Sequence, residues 1–169
     1  MGKYLSEAIG GVKFLYIIYN IAHYLIFIRE YRNVFYLRIG VLRFFLYYLP
    51  PLSSLYIGMK SKDIAPGLVI QHGFSTIIIA RHIGENCWIN QQVTIGYNDS
   101  KKYGYGSPWI GDNVRISCGA KVVGKVNVGE GSVIGVNSVI VKDVPSHSVI
   151  VPSPMMMVRE NGEPVRKQF

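Results

Sequence analysis

The sequence predicts a mainly β chain, a parallel β-helix preceded by an α-helical segment, and three observations predict it. Aliphatic residues recur at every sixth position through the second half of the chain. Glycine follows many of them. The first 49 residues instead carry apolar side chains at three- and four-residue spacing, up to a stop at Pro50–Pro51.

The helical part is residues 1–51. Gly10–Gly11 and Gly40 are its weak points, and the adjacent prolines end it, because proline lacks the N–H that a continuing helix requires. Residues 52–62 read as a linker. The β-helix is expected over 63–154, with an inserted loop at 97–107 and a tail at 155–169. Ile110, Ile116, Val122, Val128, Ile134 and Ile140 keep the six-residue step without a slip. Ile64 and Ile70 share it, as do Ile83, Ile89 and Ile95. A helix repeats every 3.6 residues and an exposed strand every 2, so a step of six fits neither. It fits a coil of three short strands in which each inward aliphatic stacks on its equivalent one coil away. Gly84, Gly96, Gly111, Gly129 and Gly135 follow the stacked residue, where the chain must turn a corner. The insertion YNDSKKYGYGS is polar and projects from the coils, where binding loops are commonly placed.

Composition narrows the function. Hydrophobic residues are 49% of the 169 and charged residues 17%, enough for a packed core. Cys87 and Cys118 form no CxxC and no disulfide framework, and they read as free thiols in a reducing compartment. The net charge is +8. Over residues 1–62, eight Lys and Arg oppose only Glu7 and Glu30. These cations lie among aromatic and aliphatic residues, which suits a membrane surface better than a nucleic-acid groove. The apolar stretch Phe14–Ile28 is interrupted by Asn20 and His23. It has no signal-cleavage site after it and falls short of the roughly 20 residues of a bilayer span. The expected location is the cytoplasm, with part of residues 1–49 open to peripheral contact with the inner membrane face.

Five stretches carry a resemblance: GLVIQHG (67–73), INQQVTIG (89–96), WIGDNV (109–114), GAKVVG (119–124) and VIVKDVPSHS (139–148). Together they resemble the hexapeptide-repeat acyltransferases of left-handed β-helix fold. Within these they are similar to the serine acetyltransferase branch and its relatives in polysaccharide gene clusters. The likeness covers residues 64–154. It implies acetyl-CoA as donor, no metal, and a homotrimer with active sites between neighbouring β-helices. It also implies a histidine general base, and His72 matches that position. Imidazole is suited to the task, since an alcohol attacking a thioester must lose its proton and the imidazole pKa lies near neutrality. The upstream carboxylate that orients the base falls collinearly on Ile57; Asp63 is the nearest upstream acid. His82 is the second choice of base, His147 reads as a surface residue of the final turn, and His23 as a packed, hydrogen-bonded residue of the helix.

The resemblance places the donor on Gly96, Cys118, Gly119, Val136, Asn137 and Ser153. Lys101, Lys102, Arg159, Arg166 and Lys167 are cation candidates for its phosphates, and Met155–Met157 is a candidate channel lining. Gln71, Gln91, Tyr97 and Ser107 are the acceptor candidates. Two departures bear on the acceptor. Gln71 stands where serine acetyltransferases have Asp. Gly106, Ser107 and Pro108 stand where they have Arg-His-Pro. A zwitterionic acceptor needs charged partners, because unpaired charge is costly to desolvate. The expectation is therefore an acetyl-CoA-dependent O-acetyltransferase acting on a sugar hydroxyl of a polysaccharide or glycan precursor. Serine O-acetyltransferase is the alternative, and a non-catalytic β-helix scaffold or binding module is the alternative of another class.

Overall fold

The computed structural model describes residues 2–45, 48–99, 105–153, 156–160 and 163–168. Two helices come first, α1 (Gly2–Phe27) and α2 (Arg29–Ile39), the second running into a 3-10 turn at Gly40–Phe45. Thirteen short strands follow: β1 (Leu55–Ile57), β2 (Val69–Ile70), β3 (Thr76–Ile78), β4 (His82–Ile83), β5 (Trp88–Ile89), β6 (Thr94–Gly96), β7 (Trp109–Ile110), β8 (Arg115–Ile116), β9 (Lys121–Val123), β10 (Asn127–Val128), β11 (Val133–Ile134), β12 (Val139–Ile140) and β13 (Val149–Ile150). They form three parallel sheets in the orders β1-β3-β6-β9-β12, β2-β5-β8-β11-β13 and β4-β7-β10. Within each sheet, neighbouring strands come from successive coils, which is the winding of a left-handed parallel β-helix.

The six-residue step becomes the core. Ile83, Ile110 and Val128 stack in register on one face, Ile70, Ile89, Ile116, Ile134 and Ile150 on the second, and Ile78, Ile95, Val122 and Ile140 on the third. Most are fully buried. Between coils the ladder is a run of parallel backbone hydrogen bonds, such as Trp88 N–H to Val114 O at 2.9 Å and Arg115 N–H to Ser132 O at 2.9 Å.

Two boundaries differ from the sequence reading. The β-helix begins within the expected linker, because Leu55–Ile57 already pair with Thr76–Ile78. Ile57 and Ile64 are seven residues apart, so the first coil is off the regular step. The 155–169 segment is not a plain tail: Met156–Glu160 (β14) and Glu163–Gln168 (β15) form an antiparallel pair. Of the expected inserted loop, residues 100–104 lie outside the described residues; on either side of them Asn98 and Gly106 exchange backbone hydrogen bonds of 3.1 Å.

Helix α2 caps the first coil. Asn33 Nδ2 donates to Leu52 O and Leu55 O at 3.0 and 3.2 Å, and its Oδ1 accepts from Leu52 N–H at 2.8 Å. Buried Arg32 donates to Pro50 O at 2.8 Å, and Tyr36 OH to Leu49 O at 2.8 Å. Arg38 reaches Ser61 O at 2.6 Å and Ala65 O at 3.1 Å, and Leu37 packs on the core. Glu30 extends this cap to the turn after β2, accepting from Gly73 N–H at 3.1 Å. Gly73 is buried there. A Cβ would press on Ile70, Glu30 and Leu55.

Helix α1 touches α2 near its end, where the Tyr24 and Tyr31 rings lie 5.4 Å apart. Its apolar residues from Phe14 to Phe27 are largely exposed. His23 is exposed as well, not packed in a core; its ring lies among those of Tyr19, Tyr24 and Phe27 at 4.8–6.2 Å. Among the described residues, no helix is long and apolar enough to cross a membrane.

Two outcomes follow from this packing. Ile116→Ala removes a buried side chain from the middle of a stack and is expected to cost about 2–5 kcal/mol, read from urea unfolding. The exposed Glu130→Ala should stay within about 0.5 kcal/mol in the same titration. Glu30→Ala leaves the part-buried Gly73 N–H without its acceptor and should cost about 1–3 kcal/mol. Glu30→Gln keeps an oxygen acceptor and should lose less; equal losses for the two Glu30 variants would contradict the capping role.

Candidate active site

The corner after the second sheet recurs from coil to coil, and five of the predicted residues, Gln91, Cys118, Gly119, Val136 and Asn137, fall on it. Asn137 N–H donates to Cys118 O at 3.0 Å, and Gly119 N–H to Gln91 O at 3.1 Å. Gln91, Cys118–Gly119 and Val136–Asn137 therefore form one column, one coil apart. Ser153 follows Ile150 at the matching offset. The column turns on left-handed residues three positions after the stacked isoleucine: Gln92, Gly119 and Asn137, with φ of +58°, +72° and +56°. Gly119 is required there, since a side chain would overlap that of Asn137.

The uppermost corner of the column carries His72 and is built differently. From Ile89 to the next inward residue, Val93, is four positions, as from Ile116 to Ala120 and Ile134 to Ser138. From Ile70 to Thr76 is six. The two added residues create a second left-handed position. Ser75 takes the shared one at φ +52°, and His72 an additional one, also at φ +52°. A left-handed backbone costs a non-glycine residue roughly 1–2 kcal/mol. The corner is held in compensation by Glu30 on Gly73 N–H, by Phe74 N–H on His72 O at 2.7 Å, and by Gln92 N–H on Phe74 O at 3.1 Å. The result is an exposed His72 on a corner two residues longer than those beneath it.

Gln71 lies immediately before it. Its Oε1 accepts from Trp88 Nε1 at 3.1 Å and Asn90 Nδ2 at 3.4 Å. These three residues line a cavity of about 350 Å³ with Arg115, Ser117 and Val133. Gln91 places its Oε1 in the interior, with no hydrogen-bond partner among the described residues.

Other expected residues stand apart from this arrangement. No hydrogen bond joins Asp63 to His72 among the described residues; Asp63 closes a 3-10 turn at Ser61–Asp63 whose backbone is tied to Lys60 and to Arg38. His82 is half-buried on the third sheet, its ring stacked on Trp109 at 5.1 Å. His147 takes the left-handed position of another corner, φ +56°, and is exposed. Tyr97 is exposed at the start of the insertion. Ser107 O accepts from Arg81 Nε at 2.7 Å, Pro108 O from Arg81 N–H at 2.7 Å, and Arg81 Nη2 reaches Asn127 Oδ1 at 3.2 Å. Arg81 thus fastens the exit of the insertion. Gly96 is buried at the end of β6. Lys101 and Lys102 lie outside the described residues, as does Met155; the side chains of Met156, Met157, Arg159, Arg166 and Lys167 are likewise outside them. Cys87 donates its thiol to Gly111 O at 3.1 Å, and burial pushes its pKa up, which makes it a structural residue and a poor nucleophile. No group of three or more potential metal ligands occurs among the described residues.

Sequence reasoning did not single out Glu30, Trp88, Asn90, Arg81 or Arg115. Trp88 and Arg115 carried one signal: both occupy the outward position just before a stacked isoleucine.

Against known proteins, no family model matches the chain. The chain is 41% identical over 122 residues to the serine acetyltransferase of Staphylococcus aureus strain Mu50, across 70% of this chain and 57% of that protein. It is 36% identical over 121 residues to the serine acetyltransferase of Bacillus pumilus strain SAFR-032, across 69% of this chain and 55% of the relative. The crystal structure of Neisseria gonorrhoeae serine acetyltransferase superposes with a TM-score of 0.59 at 24% identity, over 79% of this chain and 57% of that one, a likeness of fold. The chain spans a little over half the length of the curated relatives it matches. It is similar to serine acetyltransferases in sequence and shares their β-helix.

Proposed function

We propose that the protein is an acetyl-CoA-dependent O-acetyltransferase with His72 as general base and L-serine as its acceptor. The observation that carries the reading is the two-residue extension that sets an exposed His72 at the head of the corner column, directly after Gln71, which lines the cavity. In that place the imidazole takes the proton of the acceptor hydroxyl as its oxygen attacks the thioester carbonyl. The C–S bond then breaks, and the imidazolium returns the proton to the departing sulfur. The donor is proposed to lie along the column formed by Cys118, Gly119, Val136 and Asn137.

The choice of acceptor reverses the order expected from the sequence. A sugar hydroxyl came first there because Gln71 replaces a carboxylate and Gly106–Pro108 lack an arginine. Similarity of 41% to a serine acetyltransferase supports serine over the sugar. A homotrimer belongs to the same proposal, since the corner column and the His72 turn are open on one chain and a neighbouring β-helix would close them.

The test is thiol release from acetyl-CoA with L-serine, simple sugars and nucleotide sugars as acceptors. Release with serine is expected; release with sugars alone would return the acceptor to a sugar hydroxyl. With the acceptor that works, His72→Ala should lower kcat roughly 10²-fold or more and leave acetyl-CoA affinity nearly unchanged, because a base acts in the transition state. A variant with near-normal kcat would remove His72 from the mechanism.

A further inference from the structure

The cavity lined by Gln71, the residue before His72, has a charge character that the sequence motifs do not account for. On the outer face of the second sheet, Val69, Trp88, Arg115, Val133 and Val149 stand in register, one per coil. Two positions along the same strands, Gln71, Asn90 and Ser117 form a polar row. Arg115 and this row line one cavity, which among the described residues has no acidic side chain in its lining. The guanidinium of Arg115 makes no hydrogen bond or ion pair among the described residues. The Oε1 of Gln71 is already committed to Trp88 and Asn90, so its NH2 is left as a donor, and Asn90 keeps its Oδ1 as an acceptor.

This set is one fixed positive charge, an amide donor, a hydroxyl and an amide acceptor in one cavity with the Trp88 indole. A guanidinium pairs bidentately with a planar carboxylate, and a single unneutralised one selects a small monoanion. A polyphosphate would call for several cations, and among the described residues Arg115 is the only one in the lining. We propose that Arg115, with Gln71, is the carboxylate subsite of the acceptor, which makes that acceptor a small hydroxyl compound bearing a carboxylate, such as a hydroxy-amino acid. The assignment rests on the acetyl-transfer reading for the role of the bound molecule. It supplies from β8 the positive charge that Gly106–Pro108 do not provide. Asn90 Oδ1 and Ser117 Oγ are the acceptors for an α-ammonium.

Binding is measured apart from turnover, so that the two readings fail separately. L-serine and L-serine methyl ester are titrated calorimetrically into the wild type, Arg115→Met and Arg115→Lys, with and without CoA. Arg115→Met should weaken L-serine binding roughly 10–100-fold, the range of a lost charge-assisted hydrogen-bonded pair. Arg115→Lys should fall between it and the wild type. The methyl ester should bind all three alike, and acetyl-CoA affinity should not move. A wild type that binds no serine, or equal serine affinity in wild type and Arg115→Met, overturns the subsite. So does a loss confined to acetyl-CoA, which would give Arg115 to the donor's phosphates. Serine binding that depends on Arg115 without thiol release from acetyl-CoA would keep the subsite and overturn the transfer reading. Matching thermal unfolding of the three proteins controls for folding.

Discussion

A six-residue unit of this chain has no interior of its own. Its one inward aliphatic is covered only by the equivalent residue a coil above and a coil below. Burying such a side chain is worth about 1.5–3 kcal/mol, and that term exists only while the stack is continuous. The same contact fixes the backbone, because neighbouring isoleucines meet only when the parallel hydrogen bonds between coils are in register. Corner positions are then set with little freedom. Left-handed residues recur in columns, Gly67, Asn86, Asn113, Gly131 and His147 along one edge and Gln92, Gly119 and Asn137 along another. Outward residues between corners are free to vary, and the chemistry is written there.

The stack has to end somewhere, and α2 provides the end at the first coil. Its side chains satisfy backbone groups of residues 49–65 that no preceding strand can reach. Glu30 joins this cap to the His72 corner across 43 positions of sequence. The cap and the proposed site thus share one element.

How much of this was legible in the sequence follows from the same physics. Ile83, Ile89, Ile95, Ile110, Ile116, Val122, Val128, Ile134 and Ile140 were readable as core because inward positions repeat in both spacing and residue type, and all are buried. Leu55–Ile57 was not, since the first coil leaves the regular step while packing against α2 in place of another coil. His72 was found through its motif, but its left-handed backbone depends on the length of one corner measured against those beneath it. Glu30 was invisible because a single hydrogen bond across the fold leaves no periodic trace. Arg115 looked like any solvated arginine of an outward strand position. Only the three-dimensional register sets it in one cavity with Gln71, which stands 44 positions earlier. The acceptor was ranked on what two motif positions lacked, and an outward residue two strands away can restore a charge that such a comparison scores as missing.

The capping of the first coil by α2 also bears on how the chain reaches this state. A free coil edge exposes unpaired N–H and C=O groups and one uncovered aliphatic layer, which invites pairing with a second molecule. Here the element that closes one edge lies immediately before the first strand in the chain, so the template for the first coil is assembled from nearby residues. Every later coil then pairs with one that is already formed, over separations of roughly one turn of the solenoid. Growth by short-range addition to a single open edge is a low-contact-order route despite the all-parallel sheets, which as a class fold slowly. A substitution that frees α2 would therefore act on the speed and fidelity of folding beyond its effect on the final stability, by leaving two growing edges where the native chain has one.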